Sequence, residues 1–146
     1  MAMSERTLVD YLLNGMRTRW RKAVKHADAY TAGIADVSAY IEPVGNVWIE
    51  CKDLRGWPAR PTTPVKVDMD DLQREFLSER KGWLLLRVGR EYLLFDHNMA
   101  YWIIDTAHAV KERLTTCCEG RWKGSINWHQ FAEIISTRRN DERLEI

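Results

Sequence analysis

The hydrophobic and polar positions of the chain switch between a helical and a strand period, and those switches predict its elements. Ser4 stands where an N-cap would, Glu5 opens a first turn, and Leu8, Val9, Leu12 and Leu13 share one helical face. Asn14-Gly15 reads as a break. Residues 16–26 then carry five basic residues and no acid; if they are helical, Arg17, Arg21 and Lys25 form one stripe at i, i+4 and i+8. Such a stripe suits a phosphate backbone, and it equally suits a solvated helix face.

From 34 to 41 the period shortens to two, with Asp36, Ser38 and Tyr40 on one face and Val37, Ala39 and Ile41 on the other. Turn residues at 43–46 lead into a second strand over 47–52, where Val47, Ile49 and Cys51 oppose Trp48, Glu50 and Lys52, so the two runs make a hairpin. Residues 53–66 hold Pro58, Pro61 and Pro64 without periodicity and read as a long loop. Asp68 is placed to cap a helix through Arg80 with Met69, Leu72 and Phe76 buried, and Gly82 ends it. Trp83 to Val88 is apolar throughout, as a central strand would be, and Gly89-Arg90 turns the chain into a strand over 91–95. After Asn98, Ile103, Ala107, Val110 and Leu114 fall in helical register; Gly120 to Gly124 breaks the chain before a last helix over 125–136 and a charged tail. The expected architecture is one α/β domain over residues 1–146, a small mixed sheet flanked by helices. Its core lies over about 4–96, a C-terminal helical extension over 98–137 and the tail over 138–146.

Composition narrows the function. With 22 Lys+Arg against 21 Asp+Glu the net charge is +1, which argues against coating nucleic acid by bulk charge and leaves room for a local basic face. The longest run of large apolar residues, 99–104, is far short of a membrane span, and the N-terminus lacks the apolar run of a secretory signal, so a cytoplasmic protein without a membrane partner is expected. Cys51, Cys117 and Cys118 are odd in number and include no Cys-x-x-Cys pair, a poor basis for disulfides or structural zinc. The seven tryptophans are better explained as core filler than as base-stacking surface.

Three charged strand residues stand out. Glu50 and Lys52 share a face, and a hairpin brings Asp36 beside them. Two carboxylates brought close repel and call for a cation between them, and the carbonyl of Cys51 lies between the right side chains to join a hard divalent ion's oxygen shell. Such an ion polarises a phosphoryl oxygen, and Lys52 would orient the nucleophile or offset developing negative charge.

Gly33-Ile-Ala-Asp36, then Trp48-Ile-Glu50-Cys-Lys52, then Gln73 on the following helix resembles the PD-(D/E)XK nuclease superfamily, and within it most the VRR-NUC and Holliday-junction-resolvase branches. The likeness spans residues 5 to 95 and departs at Ala35, where the family has proline. It implies a restriction-endonuclease-like core and an Mg2+-dependent (Mn2+ may substitute) endonuclease acting on DNA, on branched, flap or Holliday-junction forms in recombination, repair or phage replication. It implies Asp36, Glu50, Lys52 and Gln73 as catalytic residues, with Asp36, Glu50, the Cys51 carbonyl and Glu5 around the metal. Related resolvases are dimers, so a homodimer is expected. Arg17, Arg21 and Lys25 on one side and Arg55, Trp57, Arg60 and Lys66 in the proline-rich loop on the other are the residues for holding DNA.

Each of these residues also has a plainer account. Glu50 with Lys52 makes a surface ion pair, Asp36 a turn cap, Gln73 a boundary residue and Glu5 a complement to the helix dipole. The competing function is a non-catalytic nucleic-acid-binding module on the same fold.

Overall fold

The computed structural model describes residues 4–26, 33–42, 44–103 and 106–144. Its elements run α1 (Glu5–Arg17), β1 (Val24–Lys25), β2 (Val37–Ile41), β3 (Gly45–Leu54), α2 (Asp71–Arg80), β4 (Trp83–Val88), β5 (Glu91–Phe95), α3 (His97–Ile103), α4 (Lys111–Cys117), β6 (Gly120–Lys123) and α5 (Trp128–Leu144). The six strands form one mixed sheet in sequence order, β1-β2-β3-β4-β5-β6. Only β3 and β4 are parallel; the other neighbours are antiparallel. A parallel pair cannot be joined by a tight turn, and the crossover is made by the proline-rich loop and α2.

Strand alternation divides the core in two. Val37, Ala39, Ile41, Val47, Ile49, Cys51 and Leu85 pack under α1 and α5 with Leu8, Leu12, Phe131 and Ile135. Leu84, Leu86, Leu93 and Phe95 face the other way, toward Leu77 of α2, Ala100 of α3 and Leu114 of α4. β4 is buried along its whole length, as its continuous apolar run requires. Helices on both faces of a mixed sheet give the α/β architecture expected.

Several local expectations are corrected. Gly15 does not break α1: a Cβ there would stand 2.0 Å from the Trp128 ring, so the missing side chain is a slot for α5. The basic stretch after it is not helical. α1 ends at Arg17, a turn follows, and Val24-Lys25 pairs with β2 as a short edge strand, so Arg17, Arg21 and Lys25 share no helical stripe. The N-cap of α2 is Asp70 rather than Asp68, because Asp70 and Gln73 complete a reciprocal capping box that Asp68 cannot make. Leu77, not Leu72, is its buried residue; Leu72 is 52% exposed, and Met69 is buried from outside the helix.

The helical register predicted after Asn98 is two helices, α3 and α4, and the side chain of Ile103 lies outside the described residues. The C-terminal part is no mere helical extension: Gly120–Lys123 pairs with β5, Tyr11 of α1 stacks on Tyr92 at 5.3 Å, and its hydroxyl accepts from Ile126 N–H. α5 continues to Leu144, through most of the expected tail, while Pro43 of the predicted turn is not among the described residues. Trp83 and Trp122 are buried, and Trp20, Trp48, Trp57 and Trp128 pack against the core, in line with the filler reading.

Candidate active site

Asp36 lies just before β2, and the β2–β3 register pairs Val37 with Ile49 and Ser38 with Trp48. That register sets Asp36 beside Glu50 and Cys51 at the point where β2 stops pairing. Cys51 N–H has no strand partner there and donates instead to Asp36 Oδ2 at 2.8 Å. The C=O of a strand residue points to the same side as its N–H, so the Cys51 carbonyl faces the same gap. The hairpin therefore does for Asp36 what its sequence suggested.

Two helices deliver their first turns to this gap. Ser4 accepts from Thr7 N–H and fixes the start of α1, which brings Glu5 to the carboxylates. One carboxylate oxygen each from Glu5, Asp36 and Glu50 lie within 4.8 Å of one another. At the start of α2, Gln73 Nε2 donates to Glu50 Oε2 at 2.8 Å, while its Oε1 accepts from Asp70 N–H at 3.2 Å and from Lys52 Nζ at 3.3 Å. Lys52 Nζ is 3.8 Å from Glu50 and 3.9 Å from Glu5. All the catalytic and metal residues expected from sequence converge here.

Gly33 explains how the segment leading to Asp36 reaches α2. Its φ of +85° is open to glycine, and a Cβ would stand 2.8 Å from the backbone of Leu72, the residue before Gln73. The close approach locks the two carriers of the site together.

Burial decides the electrostatics. Glu50 is 1% exposed. Loss of water pushes its carboxyl up to about 9, the charge of Asp36 adds to the rise, and Lys52 opposes it. Glu5 is raised in the same direction, first by burial, with Lys52 again opposing. Glu50 Oε1 is buried without a hydrogen-bond partner. Oxygens gathered in this way, from three carboxyl groups and a backbone carbonyl, are of the kind a hard divalent cation takes. No protein-family model matches the chain, and no curated protein matches it.

The proposed nucleic-acid residues are not gathered in the same way. Arg17 is about 18 Å along α1 from Glu5 and donates from Nε to the Ala23 carbonyl. Lys25 pairs with Asp10 at 3.1 Å, and Arg21 is exposed in the turn between α1 and β1. Arg55 follows β3 beside the β4–β5 turn, and Arg60 and Lys66 are exposed along the loop. Trp57 is held rather than presented: its indole N–H bonds Glu91, and Lys111 lies over its ring at 5.5 Å.

Sequence reasoning missed His26. Its backbone N–H donates to the Asp36 carbonyl at 2.8 Å, its ring bonds Ser38 Oγ at 2.7 Å, and it packs on Trp48 on the site face of the sheet. A two-residue edge strand has too little period to announce such a neighbour.

Proposed function

We propose that the protein is a metal-dependent DNA endonuclease on a restriction-endonuclease-like core. The observation that carries this reading is the meeting of Glu5, Asp36 and Glu50 within 4.8 Å beside a nearly buried lysine, with Glu50 Oε1 left unpartnered. Asp36, Glu50, the Cys51 carbonyl and Glu5 are the groups to hold Mg2+ or Mn2+. When bound, the ion supplies Lewis-acid polarisation of a phosphoryl oxygen and activation of water.

The remaining chemistry falls to the chain's own groups. Lys52 Nζ has three donors, and with Gln73 holding it on one side it can aim another at the attacking oxygen or at a phosphoryl oxygen gaining negative charge. Gln73 acts through Glu50 and Lys52 and is a positioning residue. Asp36 is fixed by Cys51 N–H, which leaves its second oxygen for the gap. In hydrolysis a water oxygen bonds phosphorus, one ester P–O bond breaks, and the leaving oxygen takes a proton.

An ion pair on a solvated strand face, the plainer account of Glu50 and Lys52, requires exposure that neither residue has. The resemblance extends the proposal to branched, flap or four-way-junction DNA and to a homodimer that offers two sites to two strands. Purified protein incubated with labelled duplex, single-stranded, flap and junction DNA should cut at least one of them with Mg2+ or Mn2+ and none in EDTA. Glu50→Ala and Lys52→Ala should abolish cutting while keeping the fold. Binding without cutting under any metal would instead favour a non-catalytic nucleic-acid module.

A further inference from the structure

The sheet face that carries Glu50 and Lys52 continues past them. Two residues before Glu50, Trp48 packs on His26 with ring centroids 5.2 Å apart and meets Phe76 edge-on at 5.0 Å. Arg80, in the last turn of α2, lies over both rings, 5.9 Å from the Trp48 centroid and 5.5 Å from that of Phe76. Beside them Asn46, Trp48, Glu79, Arg80 and Lys81 line an open groove of about 370 Å3. Arg80 and Lys81 are exposed, and among the described residues no carboxylate forms an ion pair with Arg80.

Cations at a helix C-terminus complement its dipole, which accounts for the charge of Arg80. It does not account for a guanidinium laid over two rings at the mouth of a groove. Such stacking removes rotamer freedom before any ligand arrives, and the planar guanidinium keeps a fork of donors whose geometry suits a phosphate. Gln73 and Arg80 are seven residues apart on α2, about 10 Å, and a B-form strand rises about that much over three nucleotides.

We propose that this groove holds the sugar-phosphate backbone of the nucleic-acid strand on one side of the bond to be cut, with Arg80 as the fixed phosphate contact and Lys81 as a second. The inference rests on reading the carboxylate site as a nuclease. Contacts of this kind position a strand without reading its sequence. Glu79 lines the same groove and opposes an anion, so its charge gives the test a second sign.

Binding is measured by fluorescence anisotropy on labelled duplex, flap and four-way-junction DNA in EDTA over a range of salt. The double variant R80Q/K81Q should bind about tenfold more weakly and shallow the slope of log K against log salt by one to two. Glu79→Gln should bind more tightly. R113Q/K123Q, which removes the same charge from α4 and the far edge strand, should stay within about twofold of the native protein. Equal losses in both double variants, or an unchanged slope in R80Q/K81Q, would overturn the groove. Weakened binding in R80Q/K81Q, beside a native protein that binds but never cuts, would keep the groove and overturn the nuclease. A native protein that binds none of these DNAs would overturn both.

Discussion

Gln73 Nε2 donates to Glu50 Oε2 across 2.8 Å, joining the capped first turn of α2 to a buried carboxylate 23 residues earlier in the chain. The same amide completes the capping box with Asp70 and accepts from Lys52, so one side chain serves helix start, acid and base. Gln73→Ala should slow cleavage by about 10–100-fold, as losses of groups supporting metal ligands do. It should also cost about 1 kcal/mol of stability through the lost cap and hydrogen bond. Single-turnover rates and urea unfolding separate the two effects; a stability loss with an unaltered rate would reduce Gln73 to a helix cap.

Glu50 makes the metal-free protein sensitive to pH. In the fold its carboxyl keeps its proton up to about 9, against an ordinary value of 4.5, so between these limits the native state binds more protons than the unfolded chain. This contribution to stability is complete below the lower value and is lost as pH rises through the upper one. Urea unfolding in EDTA from about pH 5 to about pH 8 should therefore show Glu50→Gln gaining on the native protein as pH rises. A constant difference would mean that Glu50 is already ionised in the metal-free fold.

Divalent binding must displace that proton. Calorimetric titration with Mg2+ or Mn2+ at pH 7, in two buffers of different ionisation enthalpy, should report release of about one proton per site. Equal heats in the two buffers, alongside a pH-dependent Glu50→Gln difference, would show that the protonated Glu50 is not among the ligands.

Gly33 is the close contact between the segment carrying Asp36 and the helix carrying Gln73. Gly33→Ala forces a Cβ against the Leu72 backbone at a φ of +85°, a strain of about 1–3 kcal/mol. The melting temperature should fall by about 3–8 °C, with a parallel loss of cleavage as the segment before Asp36 leaves α2. A fully stable and active variant would show that the two carriers need not touch.

On the other sheet face Asp53 and Arg87 lie 3.6 Å apart, each side chain about 10% exposed, with Arg87 over the Tyr92 ring at 5.5 Å. Burial raises the Asp53 carboxyl and Arg87 opposes the rise. Arg87→Leu leaves a buried acid alone and should cost about 3 kcal/mol, while D53L/R87L should recover most of it. Additive losses in the double-mutant cycle would mean that the pair is not coupled.

The residues that misled the sequence reading share one cause. Gly15 looks like a helix break until Trp128, more than a hundred residues later, fills the space it leaves. Lys25 looks like part of a basic stripe until Asp10 takes its charge. β1 and β6 are two and four residues long, too short for a period to show, and only their partners make them strands. Asp68 and Asp70 are equal as caps until Gln73 chooses between them.

The features legible along the chain are those that covalent geometry repeats locally. Period-two alternation sorted Val47, Ile49 and Cys51 from Trp48, Glu50 and Lys52, the apolar run marked β4 as central, and Ser4 started α1. The same local pattern gave the chemical types at the site, a carboxylate and a lysine on one strand face and a second carboxylate next to it. Their distances came from pairing and packing. Register placed Asp36 against Cys51, two helix starts brought in Glu5 and Gln73, and packing laid Arg80 over Trp48 and Phe76. Such meetings depend on strand pairing and helix packing across tens of residues, and no local period carries that information.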